Sequence, residues 1–244
     1  MLKNDACARD AIIVALDCDR ERALELTDLL AGHATWVKVG MTLFYRYGPS
    51  IVTQMKNRGF NVFLDLKVHD IPFQIHGAAC SAALSGADIL SIHALGGASM
   101  ISEGRAGAEE AVKLLGLDES RRTKLVAISV LTSMNEESLH SIGVAGGVPD
   151  EVARLARLSY DAGADGLVCS PQEASSMRTL LGPDALIITP GIRPLGCEKG
   201  DQQQVATPAA ALDAGASKLV IGRPITAAVD PLAIFEEIVE ELAN

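Results

Sequence analysis

Two aspartates and a lysine fall within six residues of an otherwise apolar run, Phe63-Leu64-Asp65-Leu66-Lys67-Val68-His69-Asp70-Ile71-Pro72. Side chains alternate faces along a strand, so Asp65 and Lys67 share one face with Phe63 while Val62, Leu64 and Leu66 take the other. Withdrawing an ion pair from water costs several kcal/mol per ion, and an apolar pair of similar volume often serves stability as well. A carboxylate and an ammonium kept together in a strand therefore point to electrostatic and proton-transfer chemistry rather than to a structural salt bridge. Asp70 follows the strand, just before Pro72, which can open a helix at its first turn. From there it can face Lys67 or reach into another subunit.

Other polar residues stand inside or at the ends of apolar runs. Lys38 lies between Val37 and Val39, where an unpaired ammonium would be expensive unless it reached Asp65 or Asp17. Asp17 reads equally as a cap for a helix beginning near Arg20 and as a substrate-binding carboxylate. His93 reads as a satisfied core histidine, with Gly96 and Gly97 as turn residues before a helix. Thr132 and Ser133 end one apolar run. Arg193 and Arg223 each follow a glycine, Ile192 intervening in the first case.

The elements that must position these residues alternate from end to end. Strands are expected at 11–17, 36–40, 61–67, 89–94, 124–131, 166–170, 186–191 and 218–223, from short β-branched runs. Helical patterns lie near 20–31, 43–58, 73–85, 99–115, 151–162, 172–181, 204–214 and 232–242. Strand then helix, eight times, is a single-domain α/β (β/α)8 TIM barrel spanning 1–244. A doubly wound open sheet would carry a glycine-rich fingerprint after its first strand, and Asp17-Cys18-Asp19 stands there instead. Three helices end in related turns, Ser85-Gly86-Ala87-Asp88, Ala162-Gly163-Ala164-Asp165 and Ala214-Gly215-Ala216-Ser217, in which glycine takes the left-handed cap before a strand.

In this fold the active site lies at the C-terminal ends of the strands, where the polar residues named above fall. The loops after strands 7 and 8 are its recurrent phosphate site. Arg193 and Arg223 sit in those loops beside Gly191 and Gly222, which predicts a phosphate monoester as substrate. The stretch from Gly191 to Gln204 is longer than an ordinary βα loop and reads as a lid over bound phosphate.

Composition narrows the class further. With 48% hydrophobic residues in 244, the chain can bury a large core. A net charge of −10, with no basic run, argues against nucleic acid as a partner. No apolar run is long enough to span a bilayer and no signal-peptide region opens the chain, so a cytoplasmic protein is expected. Five cysteines without CxxC spacing read as reduced thiols, and neither a metal cluster nor a cofactor motif is evident.

The motifs, taken in order, resemble those of the orotidine 5′-phosphate decarboxylase family. They are ALD ending at Asp17, VKVG around Lys38, FLDLKVHDIP, LTS at 131–133, PGIR at 190–193, Gln202, and VIGRPIT at 220–226. The resemblance spans nearly the whole chain. It implies cofactor-free decarboxylation of orotidine 5′-phosphate to UMP, with Lys67 as proton donor and Asp65 and Lys38 completing a charged network. It further implies a homodimer in which Asp70 reaches the neighbouring subunit's site. Asp17 and Lys38 would contact ribose, Thr132 would sit by the pyrimidine, and Gln202, Arg193, Gly222 and Arg223 would hold phosphate. Many members carry Asn-Thr after HDIP, whereas this chain has Phe73-Gln74. The threonine's contact therefore passes to Gln74 or to no residue.

Overall fold

The computed structural model describes residues 4–194 and 205–243. Eight parallel strands close into a barrel in chain order: β1 (Ile12–Ala15), β2 (Trp36–Gly40), β3 (Asn61–Val68), β4 (Ile89–His93), β5 (Lys124–Ile128), β6 (Gly166–Val168), β7 (Leu186–Thr189) and β8 (Lys218–Ile221). All eight expected strands form. Six leave the ladder earlier than expected: β1 at Ala15, β4 at His93, β5 at Ile128, β6 at Val168, β7 at Thr189 and β8 at Ile221. Their remaining residues turn away to build the mouth of the barrel.

Alternation along the strands divides the core in two. Ile13, Ala15, Phe63, Ile89, Val126, Ile188 and Val220 fill the barrel. Val14, Val37, Leu64, Leu90 and their neighbours pack outward against the helices.

The helices differ from expectation where the chain is locally interrupted. The expected helix at 43–58 is two, Met41–Tyr47 and Ser50–Asn57, because Gly48 adopts φ +66° and Pro49 follows. Three short helices, Asp5–Ala11, Glu136–Ser141 and Arg223–Thr226, were not expected. Each spans about two turns or fewer, too little for an apolar period to register. Asn4 and Asn135 cap the first two with side-chain oxygens.

The base of the barrel repeats one device three times. Gly86, Gly163 and Gly215 take φ of +98°, +103° and +101°. The second residue after each, Asp88, Asp165 or Ser217, gives its N–H to the carbonyl of Val62, Leu125 or Ile187 in the preceding strand. Its side-chain oxygen accepts the N–H of that same strand residue, at 2.7, 2.8 and 3.1 Å. A cation completes each set: Lys56 on Asp88, Arg122 on Asp165 and Arg178 on Ser217. The seam between the ends of the chain is held differently. Asp10 accepts from the Trp36 indole at 2.8 Å and, through backbone and side-chain oxygens, from Lys218 at 2.7 and 3.1 Å.

Candidate active site

The mouth of the barrel is built around a fault in the β3–β4 ladder. Leu64 pairs with Leu90 and Val68 with Ile92, so β3 advances four residues while β4 advances two. A bulge of this kind re-aims side chains, and here Asp65, Leu66 and Lys67 lie within it. Lys67 has φ +51°, the one non-glycine residue with positive φ among the described residues. That conformation costs a side-chain-bearing residue about 1–2 kcal/mol. It is compensated by bonds at both ends of the residue. The ammonium donates to both Asp65 oxygens, at 2.8 and 2.9 Å, and the backbone N–H donates to the Ser91 hydroxyl at 2.8 Å.

Asp65 also meets Lys38, whose Nζ lies 3.5 Å from Oδ2 and donates to Asp17 at 2.8 Å. The four side chains thus form a row of alternating charge across β1, β2 and β3: Asp17, Lys38, Asp65, Lys67. Burial would push the Asp65 carboxyl up, but the charges of Lys38 and Lys67, with hydrogen bonds from Lys67 and Ser91, outweigh it and hold the group below its ordinary value. The row is buried in the middle and open at its ends: Lys38 and Asp65 are 9% and 12% exposed, Asp17 is 62% and Lys67 32%, which leaves the Lys67 ammonium accessible to a ligand.

The row forms one wall of a cavity of about 500 Å³. Arg193, Gly222 and Arg223 line it from the loops after β7 and β8, Thr132 from the β5 loop, and Phe63, Ile128 and Val220 give it apolar surface. Gly222 opens the short helix Arg223–Thr226, and Gly191 takes φ +80° at the end of β7.

Most expected site residues therefore converge, and several separate. Asp70 is exposed outside the cavity, where its carboxylate accepts the Ile71 N–H at 2.7 Å rather than facing Lys67. Asp17 is no helix cap: Asp19 caps the helix Arg20–Leu30, accepting from Arg22 N–H at 2.8 Å, and Asp17 stays with Lys38. His93 is not a core residue but half-buried at the mouth, stacked on His69 at 5.4 Å. Burial, then the neighbouring His69 and Lys67, lower its pKa. Gln202 and most of the expected lid, 195–204, lie outside the described residues. Gln74 is exposed and does not line the cavity.

Sequence reasoning passed over two residues that shape the site. A Cβ on Gly40 would fall 2.9 Å from Asp17 Oδ1 and 3.3 Å from Lys38 Nζ, so a side chain there would push the tips of that pair aside. Ser91 is fully buried in β4 and touches both Asp65 and Lys67. Its one signal was a polar residue in an apolar strand.

A closed eight-stranded barrel with a lysine–carboxylate row inside it and arginines on the loops after β7 and β8 defines the class of barrel enzymes that bind phosphorylated substrates. Within that class, the chain belongs to the orotidine 5′-phosphate decarboxylase / HUMPS family, whose model matches residues 10–238. A relative from Nitrosococcus oceani is 46% identical over 237 residues, which is 97% of this chain and 99% of that protein. One from Thermobifida fusca is 47% identical over 233 residues, 95% of each. Both bear the name orotidine 5′-phosphate decarboxylase. The crystal structure of orotidine 5′-phosphate decarboxylase from Lactobacillus acidophilus is 36% identical and superposes with a TM-score of 0.84, covering 96% of this chain and 100% of that one.

Proposed function

We infer that this chain is a carboxy-lyase that converts orotidine 5′-phosphate to UMP and carbon dioxide, the last step of UMP synthesis. The observation that carries the reading is the alternating row ending in Lys67, which lines one cavity together with Arg193 and Arg223.

The C6–carboxylate bond breaks, carbon dioxide departs, and the bonding electron pair stays on C6. No conjugated carbonyl can accept that pair, so the developing charge must be met by the protein. The Lys67 ammonium, held by Asp65, stabilises it and then gives a proton to C6, forming UMP; solvent reprotonates the amine. Asp17 and Lys38 would engage ribose, and Thr132 the pyrimidine. Arg193 and Arg223, with Gly222 and Gln202, would hold the phosphate. Phosphate is remote from C6, and its binding energy serves to close the site and fix the base against the row.

A homodimer in the cytoplasm is part of this reading. Asp70 stands exposed beside Ile71 and Phe73, themselves 62% and 80% exposed, a surface suited to a second subunit whose site Asp70 would enter. No helix among the described residues is long and apolar enough to cross a membrane.

A related barrel chemistry would stabilise an enediolate with a metal ion bound near Asp65. The geometry favours the metal-independent reading, because both Asp65 oxygens already accept from Lys67, with Ser91 and Lys38 beside them. The test is orotidine 5′-phosphate consumption and UMP formation by purified protein with and without EDTA. Rapid, chelator-insensitive conversion is expected. No conversion by folded protein, or conversion abolished by the chelator, overturns the reading.

A further inference from the structure

We propose that Ser91 is a positioning residue for the reaction, because its one hydroxyl fixes both the backbone of Lys67 and the carboxylate of Asp65. The inference rests on the reading of Lys67 as proton donor.

The geometry follows from the bulge. Between the Leu64–Leu90 and Val68–Ile92 pairs, β3 has more residues than β4 can match with carbonyls. The Lys67 N–H is one of the donors this leaves to be satisfied, and a buried N–H without an acceptor is costly. The Ser91 hydroxyl accepts it at 2.8 Å, in place of a ladder carbonyl. The same oxygen donates to Asp65 Oδ1 at 2.9 Å, while Lys67 Nζ donates to that atom at 2.8 Å. Lys67, Ser91 and Asp65 therefore close a ring in which the left-handed Lys67 backbone, its ammonium and the carboxylate fix one another. Ser91 is 0% exposed and stands one alternation above Ile89, which fills the barrel, so its hydroxyl is beneath the ion pair and out of reach of substrate. It acts through Asp65 and Lys67 alone.

Removing the hydroxyl leaves the Lys67 N–H without its acceptor and lets Asp65 turn. The proton donor then loses its aim while the phosphate wall is untouched. Ser129 supplies the control. It is also a buried serine, 1% exposed on the chain just after β5, but its hydroxyl makes no hydrogen bond to the described residues.

The experiment compares wild type, Ser91→Ala, Ser129→Ala and Lys67→Ala as intact proteins, measuring kcat on orotidine 5′-phosphate, the dissociation constant of UMP, and Tm. Ser91→Ala is expected to lower kcat by about tenfold to a hundredfold, with UMP affinity unchanged, and Ser129→Ala to leave both at wild-type values. Should Ser91→Ala not fold, Ser91→Cys, close in size but only a weak donor and acceptor, is read on the same scale. Wild-type kcat in the Ser91 variant, beside an inactive Lys67→Ala, overturns the positioning role and leaves the decarboxylase reading standing. A fall in kcat matched by an equal loss of UMP affinity also overturns it, since that is general collapse of the cavity. Normal turnover by Lys67→Ala would instead remove the reading on which the proposal rests.

Discussion

The two ends of the barrel both gather charge in and around an apolar scaffold, and they settle it in opposite ways. Around the depression at the base, Asp10, Asp88, Asp165 and Asp184 meet Arg121, Arg122, Lys124 and Lys218, four of each sign. At the mouth, among the described residues lining the cavity, Asp17 and Asp65 stand with Lys38, Lys67, Arg193 and Arg223, two against four. In a chain of net charge −10 that gathering of cations suits an anionic ligand. The strained backbone is likewise at the mouth, at Lys67. A buried ion pair therefore says little about function by itself. Imbalance, strain and an open cavity together distinguish the reactive end from the structural one.

The comparison is broken most severely at Lys67. Lys67→Ala should lower kcat by about 10⁴-fold or more while UMP still binds, measured by single-turnover conversion and calorimetric titration. Near-normal rates would show the mouth's charge row to be as structural as the base. The base should respond in the other currency. Arg122→Ala leaves Asp165, 14% exposed, without its paired guanidinium and should cost about 3–5 kcal/mol in urea unfolding, with kcat of the folded fraction unchanged.

Arg223→Ala sharpens the contrast within the mouth. It should lower kcat/KM on orotidine 5′-phosphate by about tenfold to a hundredfold and affect the bare nucleoside far less. Equal losses on both would remove Arg223 from the phosphate wall.

The smallest effect is expected from acid. Burial raises the Asp165 pKa, but the Arg122 hydrogen bonds, the Leu125 N–H and the charges of Arg122 and Lys124 outweigh it, so the folded value lies below the ordinary one. Protonation then favours the unfolded chain. The contribution is fully present above about pH 4 and is lost as pH falls through the folded pKa. Urea midpoints should fall over that window in wild type and fall less in Asp165→Asn.

How much of this was legible in the sequence follows from the range of the interactions. The strand pattern, the turn glycines at 86, 163 and 215, and the polar residues at strand ends are local signals, and the barrel and most of the mouth could be read from them. The break at Gly48-Pro49 was equally local, yet the apolar period ran across it and concealed it. Asp17 and Asp19 are two residues apart, and which of them caps the helix depends on where β2 places Lys38. Ser91 was not legible as a site residue, because its role exists only once a bulge in β3 deprives Lys67 of a ladder partner. The pairings at the base, such as Lys56 with Asp88, needed the folded contact as well.

The Asp10–Lys218 clasp has a consequence during synthesis and refolding. The two residues are 208 positions apart, so the sheet can close only after its last strand has joined. Until it closes, β1 and β8 are bare apolar edges, templates for association with other chains. A carboxylate marks one edge and an ammonium the other. Two β1 edges or two β8 edges aligned in parallel would oppose like charges, whereas β1 and β8 of the same chain attract in the parallel register that closes the ring. The clasp thus acts as a recognition tag for self-closure before it is a bond in the finished barrel.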